Sequence, residues 1–312
     1  MTTVTRRIEE MSSFAPEHIS TQLFREHTYT DGYTLHPKEK LHAAAIGTSV
    51  DNLTRTLTLP TSHTATPTTY RQACMDIFTH SLSGLRVIDL SGKLQHNDPE
   101  EYWLELIDTL SPKPTPEHVE AVVRLSIAEM AFRSSRPTNV HIDITTPDIE
   151  NIMIMAKRSV TMLDDLGGPL VSGFHFDEGG QAVLDDSLIK QARYYGGYTS
   201  TVTSGDGDFL TNTHLLDMKV STRPASKRHL LQVLTYWRMG LHSFDRGEKP
   251  LYNGAFYNVT HLGIINPRLF TSYTINCSQF TREDKDFIDN EVIEYKATPQ
   301  FKEHHLNTHA TA

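Results

Sequence analysis

Apolar residues recur every three or four positions along the first half of the chain, and past residue 168 they begin to alternate with polar ones. The spacing predicts helices over 16–27 (PEHISTQLFREH), 69–82 (TYRQACMDIFTHSL) and 99–110 (PEEYWLELIDTL), with the Ser/Thr/Pro-rich run TSHTATPTTY at 61–70 reading as loop. Helical spacing continues through 116–135 (PEHVEAVVRLSIAEMAFRSS) and through 145–168 (TTPDIENIMIMAKRSVTMLDDLGG), where Thr146 and Pro147 start a helix and Gly167 and Gly168 stop it. The segments 169–176 (PLVSGFHF), 198–204 (YTSTVTS), 208–211 (DFLT) and 214–220 (HLLDMKV) read as short strands. A long helix follows over 224–243, then strands over 258–267 and 271–278, and a closing helix over 281–295 with a capping-box pair, Thr281 and Asp284. This order implies a mixed α/β fold. Three prolines in SPKPTPEH (111–118) set an expected boundary near 115, dividing a mainly helical region 1–115 from a domain 116–312 whose core runs from about 145 to 295.

Composition narrows the class. Of 312 residues 38% are hydrophobic and 21% charged, the balance of a globular chain able to bury a core. No run approaches the roughly 18 apolar residues of a membrane span, and MTTVTRRIEEMSSF lacks the apolar stretch of a secretory signal, so a cytoplasmic location is expected. Cys74 and Cys277 belong to no CxxC pair, which argues against a disulfide framework or a structural zinc. The 17 histidines form no HxxH or HExxH pair, and the tail KEHHLNTHATA (302–312) reads as frayed. A net charge of −9 opposes a surface that coats nucleic acid all round, yet Lys219, Arg223, Lys227, Arg228 and Arg238 follow one another without an intervening acid.

The acids sit immediately before that basic stretch, in GDGDFLTNTHLLDMKVS (205–221). A hairpin turning at Asn212 and Thr213 sets Thr211 opposite His214, Leu210 opposite Leu215, Phe209 opposite Leu216, and Asp208 opposite Asp217. Like charges about 5 Å apart across two strands are destabilising unless something positive lies between them, and a divalent cation meets that need. Strand alternation puts Lys219 on the face of Asp217, while Leu216, Met218 and Val220 turn into a core. In the same register Asp206 faces Lys219 and competes with Asp208 for the metal-binding role. Paired carboxylates suit Mg²⁺, and a neighbouring lysine can orient or deprotonate a water, which together are the requirements of metal-assisted phosphodiester cleavage.

The set Asp208, Asp217-x-Lys219 and Gln232-x-x-x-Tyr236 resembles the PD-(D/E)XK nuclease superfamily, in the branch typified by the nuclease domain of the RecB helicase subunit and by lambda-type exonucleases. That branch has an Asp at the start of one strand, Asp/Glu-x-Lys on the next and Gln-x-x-x-Tyr on the following helix. On a helix Gln232 and Tyr236 are four apart and share a face. The resemblance covers about 145–295. Gly207 stands where the family's proline would be, and residues 1–115 have no counterpart in the family core.

What the resemblance implies is a restriction-endonuclease-like core, a mixed central sheet flanked by helices, with an N-terminal mainly helical region. It implies a Mg²⁺-dependent nuclease, with Mn²⁺ substituting, that cuts DNA in restriction, repair or phage defence. Asp208 and Asp217 would bind the metal, Lys219 would position the water, and Gln232 and Tyr236 would organise the phosphate or the lysine. The branch also supplies an upstream ligand from a preceding helix, for which Glu150 is the first candidate, then His141 and His175. Arg223, Lys227 and Arg228 are candidates for contact with the nucleic-acid backbone, whereas Arg268 reads as half of a structural ion pair. An inactive scaffold binding nucleic acid or protein is the alternative, and self-association or a protein partner stays open.

Overall fold

A computed structural model of the chain describes residues 2–59, 67–176, 192–196, 199–244 and 253–295. Among these described residues there are ten α-helices and eight strands. The helices are α1 (Val4–Met11), α2 (Ala43–Leu57), α3 (Pro67–Ile77), α4 (Thr79–Leu90), α5 (Pro99–Asp108), α6 (Pro116–Ser134), α7 (Thr146–Asp165), α8 (Lys227–His242), α9 (Asn253–Asn258) and α10 (Arg282–Phe287). The strands are β1 (Arg25–Thr28), β2 (Val171–Phe176), β3 (Ala192–Gly196), β4 (Gly205–Leu210), β5 (His214–Met218), β6 (Ser243–Phe244), β7 (His261–Asn266) and β8 (Thr271–Asn276). They form one open mixed sheet in the order β1-β8-β7-β5-β4-β2-β3-β6. The fold is therefore mixed α/β.

The sheet lies between two helical layers, because its strands are apolar on both faces. On one side Phe209, Leu216 and Met218 pack with Val50 and Leu53 of α2 and with Val122, Leu125, Ile152 and Met155 of α6 and α7. On the other, Leu210, Leu215, Leu262 and Ile264 pack with Val4 and Ile8 of α1 and with Leu230, Val233 and Leu234 of α8. Helix α8 is the crossover between the parallel strands β5 and β7. The first of these clusters passes without a break from Leu110 to Val119, across the boundary expected near 115, and β1 adds an edge strand to the sheet.

Local chemistry accounts for the elements around the site. Helix α7 begins where Asp148 Oδ2 accepts the backbone N–H of Thr145 at 3.0 Å, and it ends at Gly167 and Gly168, whose φ of 103° and 69° only glycine adopts cheaply. Helix α8 begins with a reciprocal cap in which Ser226 Oγ accepts from His229 N and His229 Nδ1 accepts from Ser226 N.

Two expectations fail, and the helices α1, α2 and α9 were not foreseen. The helix expected at 16–27 is a short 3-10 turn (Thr21–Leu23) followed by β1, because Arg25–Thr28 pairs with Thr271–Thr274 of β8. Within the strand expected at 198–204, residues 199–203 are irregular, because the Thr199 hydroxyl accepts the N–H groups of Thr201 and Val202 and closes a local turn. The tail 302–312 lies outside the described residues.

Candidate active site

The hairpin closes as the alternation requires, with Phe209 opposite Leu216, Leu210 opposite Leu215, and Thr211 N donating to His214 O at 2.9 Å. The ladder between β4 and β5 stops at Phe209, one step before Asp208 would meet Asp217. There the Asp208 side chain replaces a backbone partner, Oδ2 accepting the N–H of Met218 at 2.6 Å. The strands part beyond this bond, and the opening is the floor of a cleft of about 690 Å³. On the far side of β4, Gly207 lies against the ring of Phe174, so close that a Cβ would fall 1.9 Å from Cζ. That contact holds β4 on β2 while its carboxylates face the cleft.

Asp217 is 2% exposed, and its Oδ2 has Lys219 Nζ at 2.6 Å. Apart from that ammonium the oxygen has no hydrogen-bond partner. Burial works against a charged Lys219, but the charges of Asp217 and Asp208 outweigh it and hold its pKa above the usual lysine value. From α8, one turn apart, come Gln232 and Tyr236, both buried, with Gln232 Nε2 donating to Tyr236 Oη at 2.9 Å. Burial, then the charge of Asp217, keeps the phenol protonated far above its ordinary range. His229, on the same helix, is held neutral by burial and by the neighbouring Lys219.

Helix α2 closes the opposite wall. Arg55 grips Asp51 with both Nε and Nη2, at 2.9 to 3.1 Å, and Nη2 also reaches Asp208 Oδ1 at 3.5 Å. Three carboxylates, Asp51, Asp208 and Asp217, therefore face two cations, Arg55 and Lys219. The imbalance falls on Asp208, whose carboxyl is pushed up to about 7 by burial and by the charges of Asp51 and Asp217, with Arg55 and Lys219 offsetting only part. Among the described residues, no three His, Cys, Asp or Glu side chains are grouped closely enough to hold a metal ion by themselves.

The N-terminus of α1 (Thr3, Val4), Arg133 of α6 and Asp206 also line the cleft. Asp206 does not face Lys219, because the β4–β5 ladder has ended by then; it pairs across the other edge of β4 with His175, Nδ1 to Oδ1 at 2.7 Å. That imidazole, the nearby Arg133 and His80 hold its carboxyl below the usual value against the effect of burial.

The cleft thus gathers Asp208, Asp217, Lys219, Gln232 and Tyr236. Glu150 is not among its lining residues. It stands on the exposed second turn of α7, 3.7 Å from His36, so the acidic group that the helical layer brings to Asp208 is Asp51 instead. His141 is also elsewhere, its Nε2 accepting from Gln95 N at 3.1 Å. Of the basic candidates, Lys227 is committed to structure, its ammonium donating to the carbonyls of Ala15 and Pro16 at 3.2 Å each, whereas Arg223 and Arg228 are exposed outside the cleft lining. Arg268 pairs with Glu39 at 2.9 Å. No family model, curated protein or solved structure matches the chain, so the site stands on its own geometry.

Proposed function

We propose that the chain is a divalent-metal-dependent nuclease of the PD-(D/E)XK type that hydrolyses phosphodiester bonds of DNA. One convergence carries the reading: Asp208 from β4, Asp217 and Lys219 from β5 and its extension, and Gln232 and Tyr236 from α8 meet in a single cleft. A restriction-endonuclease-like core belongs to the same proposal. Its support is the order of the parts: an Asp on one strand, Asp-x-Lys on the next, Gln-x-x-x-Tyr on the helix that follows.

The donors fit a hard cation. Asp217 offers a buried oxygen whose sole close partner among the described residues is an ammonium, and Asp208 offers a second carboxylate on the other side of the strand opening. Two carboxylates with water completing the shell is the habit of Mg²⁺, and Mn²⁺ would substitute. When bound, the ion would draw charge from a phosphate oxygen and acidify a water. Without the ion Lys219 is held as an ammonium beside the two carboxylates, placed to orient a water and to offset charge. Tyr236 stays a donor, and the Gln232 amide fixes its hydroxyl. Arg55 ties Asp51 and Asp208 to α2 and fixes the distance between the two walls. DNA is the substrate that the resemblance implies.

One observation favours the alternative, a scaffold that binds without cutting: Arg55 and Lys219 already offset two of the three carboxylates. Incubating purified protein with linear duplex, circular duplex and single-stranded DNA in Mg²⁺ or Mn²⁺ separates the two readings. The nuclease reading expects cleavage that EDTA and Lys219→Ala both abolish; intact DNA on every substrate overturns it.

A further inference from the structure

Helix α8 turns a third polar side chain toward the acids. His229, Gln232 and Tyr236 are spaced three and four apart, so they share one face of the helix, and all three line the cleft. The resemblance gives roles to Gln232 and Tyr236 and none to His229.

The imidazole is fixed at one nitrogen. Ser226 N donates to His229 Nδ1 at 3.2 Å, and Ser226 Oγ accepts His229 N in return. A backbone N–H can only donate, so Nδ1 presents a lone pair, and the neutral ring carries its proton on Nε2. Burial and the charge of Lys219 beside it keep the ring neutral. Aspartates, Asp148 and Asp284, make the same reciprocal cap in α7 and α10, so capping alone does not call for a ring with a second nitrogen.

That second nitrogen is uncommitted. Among the described residues, four side chains that carry nitrogen line the cleft. Lys219 is paired with Asp217, Arg133 with Glu129, and Gln232 Nε2 donates to Tyr236. His229 Nε2 has no partner among the described residues, and its half-buried ring leaves it open to the cleft.

We propose that His229 is a phosphate-binding residue of the cleft, a neutral donor whose Nε2–H meets a non-bridging phosphate oxygen beside Lys219. A neutral donor suits the place: a second cation would be repelled by Lys219, whereas a fixed N–H stabilises charge that builds on the oxygen. The proposal rests on the nuclease reading for the phosphodiester, but the tautomer that makes the ring a donor is independent of cleavage.

Two substitutions separate the ring nitrogens. His229→Asn sets an amide oxygen where Nδ1 stood and ends short of Nε2, so it keeps the cap and drops the donor. His229→Gln reaches the place of Nε2 with an amide nitrogen. With DNA in Mg²⁺, Asn is expected to lower kcat about ten- to a hundredfold, with KM changing less and the melting temperature unchanged, and Gln to recover part of that loss. A histidine that only caps the helix would leave the Asn variant as fast as the wild type, which overturns the proposal and leaves the nuclease reading intact. The second measurement needs no cleavage: imidazole ¹⁵N NMR at pH 7 on Asp208→Asn protein titrated with pentathymidylate, the His229 signal being identified by its loss in either variant. The expected result is a neutral ring protonated on Nε2, whose Nε2 resonance shifts as the oligonucleotide binds. A ring protonated on Nδ1, or an Nε2 resonance unmoved at saturation, overturns the proposal. Should the wild type cut no DNA, a shifted Nε2 leaves His229 as a phosphate donor and removes the nuclease reading alone.

Discussion

Asp208 Oδ2 accepts the backbone N–H of Met218 at 2.6 Å, so a carboxylate on one strand fills the ladder position that its own backbone has left. The bond anchors the carboxylate beside Asp217 and marks where the hairpin opens into the cleft. Fold and site depend on the same residue through different features of it: the fold uses a carbonyl-like acceptor, and the proposed chemistry uses the charge.

An amide keeps the acceptor and drops the charge. Asp208→Asn is therefore expected to unfold in urea at or above the wild-type midpoint, because the repulsion from Asp51 and Asp217 outweighs the attraction of Arg55 and Lys219. Its cleavage rate should fall at least about a hundredfold. A variant that folds and still cuts at the wild-type rate would remove Asp208 from the site.

Among the described residues, Lys219 is the sole charged partner within ion-pair distance of a carboxylate that is 2% exposed. Lys219→Ala leaves that charge uncompensated. The expected loss is about 1–2 kcal/mol by urea unfolding, less than for a fully buried pair because the lysine keeps 27% of its side-chain exposure. Added Mg²⁺ should restore part of that loss in the variant, since a cation that binds only the folded state stabilises it.

Asp51 restrains Arg55. Asp51→Asn weakens the two-pronged grip and frees the guanidinium to pair fully with Asp208. The Mg²⁺ concentration that half-saturates cleavage should rise several-fold in this variant while the maximal rate changes less. An unchanged metal dependence would show that α2 has no part in the site.

Much of this site was legible in the chain. A two-residue turn at Asn212 and Thr213 fixes the hairpin register, and with it the pairs Leu210 with Leu215 and Phe209 with Leu216. The i, i+4 spacing of Gln232 and Tyr236 likewise fixes their shared face, and their hydrogen bond follows. Asp51 was not legible, because α2 reads as polar: Ser49, Asn52, Thr54 and Thr56 occupy buried positions in it. Three of them are satisfied in ways no periodicity reveals, Thr54 and Thr56 by carbonyls of their own helix and Asn52 by Ser126 and Glu129 of α6. The available signal was Ile46, Val50, Leu53 and Leu57, spaced four, three and four apart. Glu150 misled for the converse reason: an acid near the start of a helix, half in solvent and 3.7 Å from His36, is at home there and needs no metal.

Stability should fall on mild acidification, through His118 at the start of α6. It is fully buried, its Nδ1 accepts Ser111 N at 3.1 Å, and burial lowers its pKa to about 4. An unfolded imidazole titrates near 6.5, so between pH 6.5 and 4 the unfolded chain takes up a proton that the folded chain does not. This contribution is therefore fully present above pH 6.5 and declines as pH falls, by up to about 3 kcal/mol at the acid end. His118→Gln keeps an acceptor for Ser111 and cannot charge; denaturant unfolding at pH 7 and pH 4.5 should show a smaller difference for it than for the wild type.

The claim on which the account turns is that Asp208 and Asp217 hold one divalent ion between them. Electron paramagnetic resonance of Mn²⁺ added to wild-type, Asp208→Asn and Asp217→Asn proteins counts bound ions directly. The account predicts one bound Mn²⁺ per wild-type chain, displaced by Mg²⁺ and lost in each variant. A wild type that binds none at this site, or variants that bind as the wild type does, would contradict it.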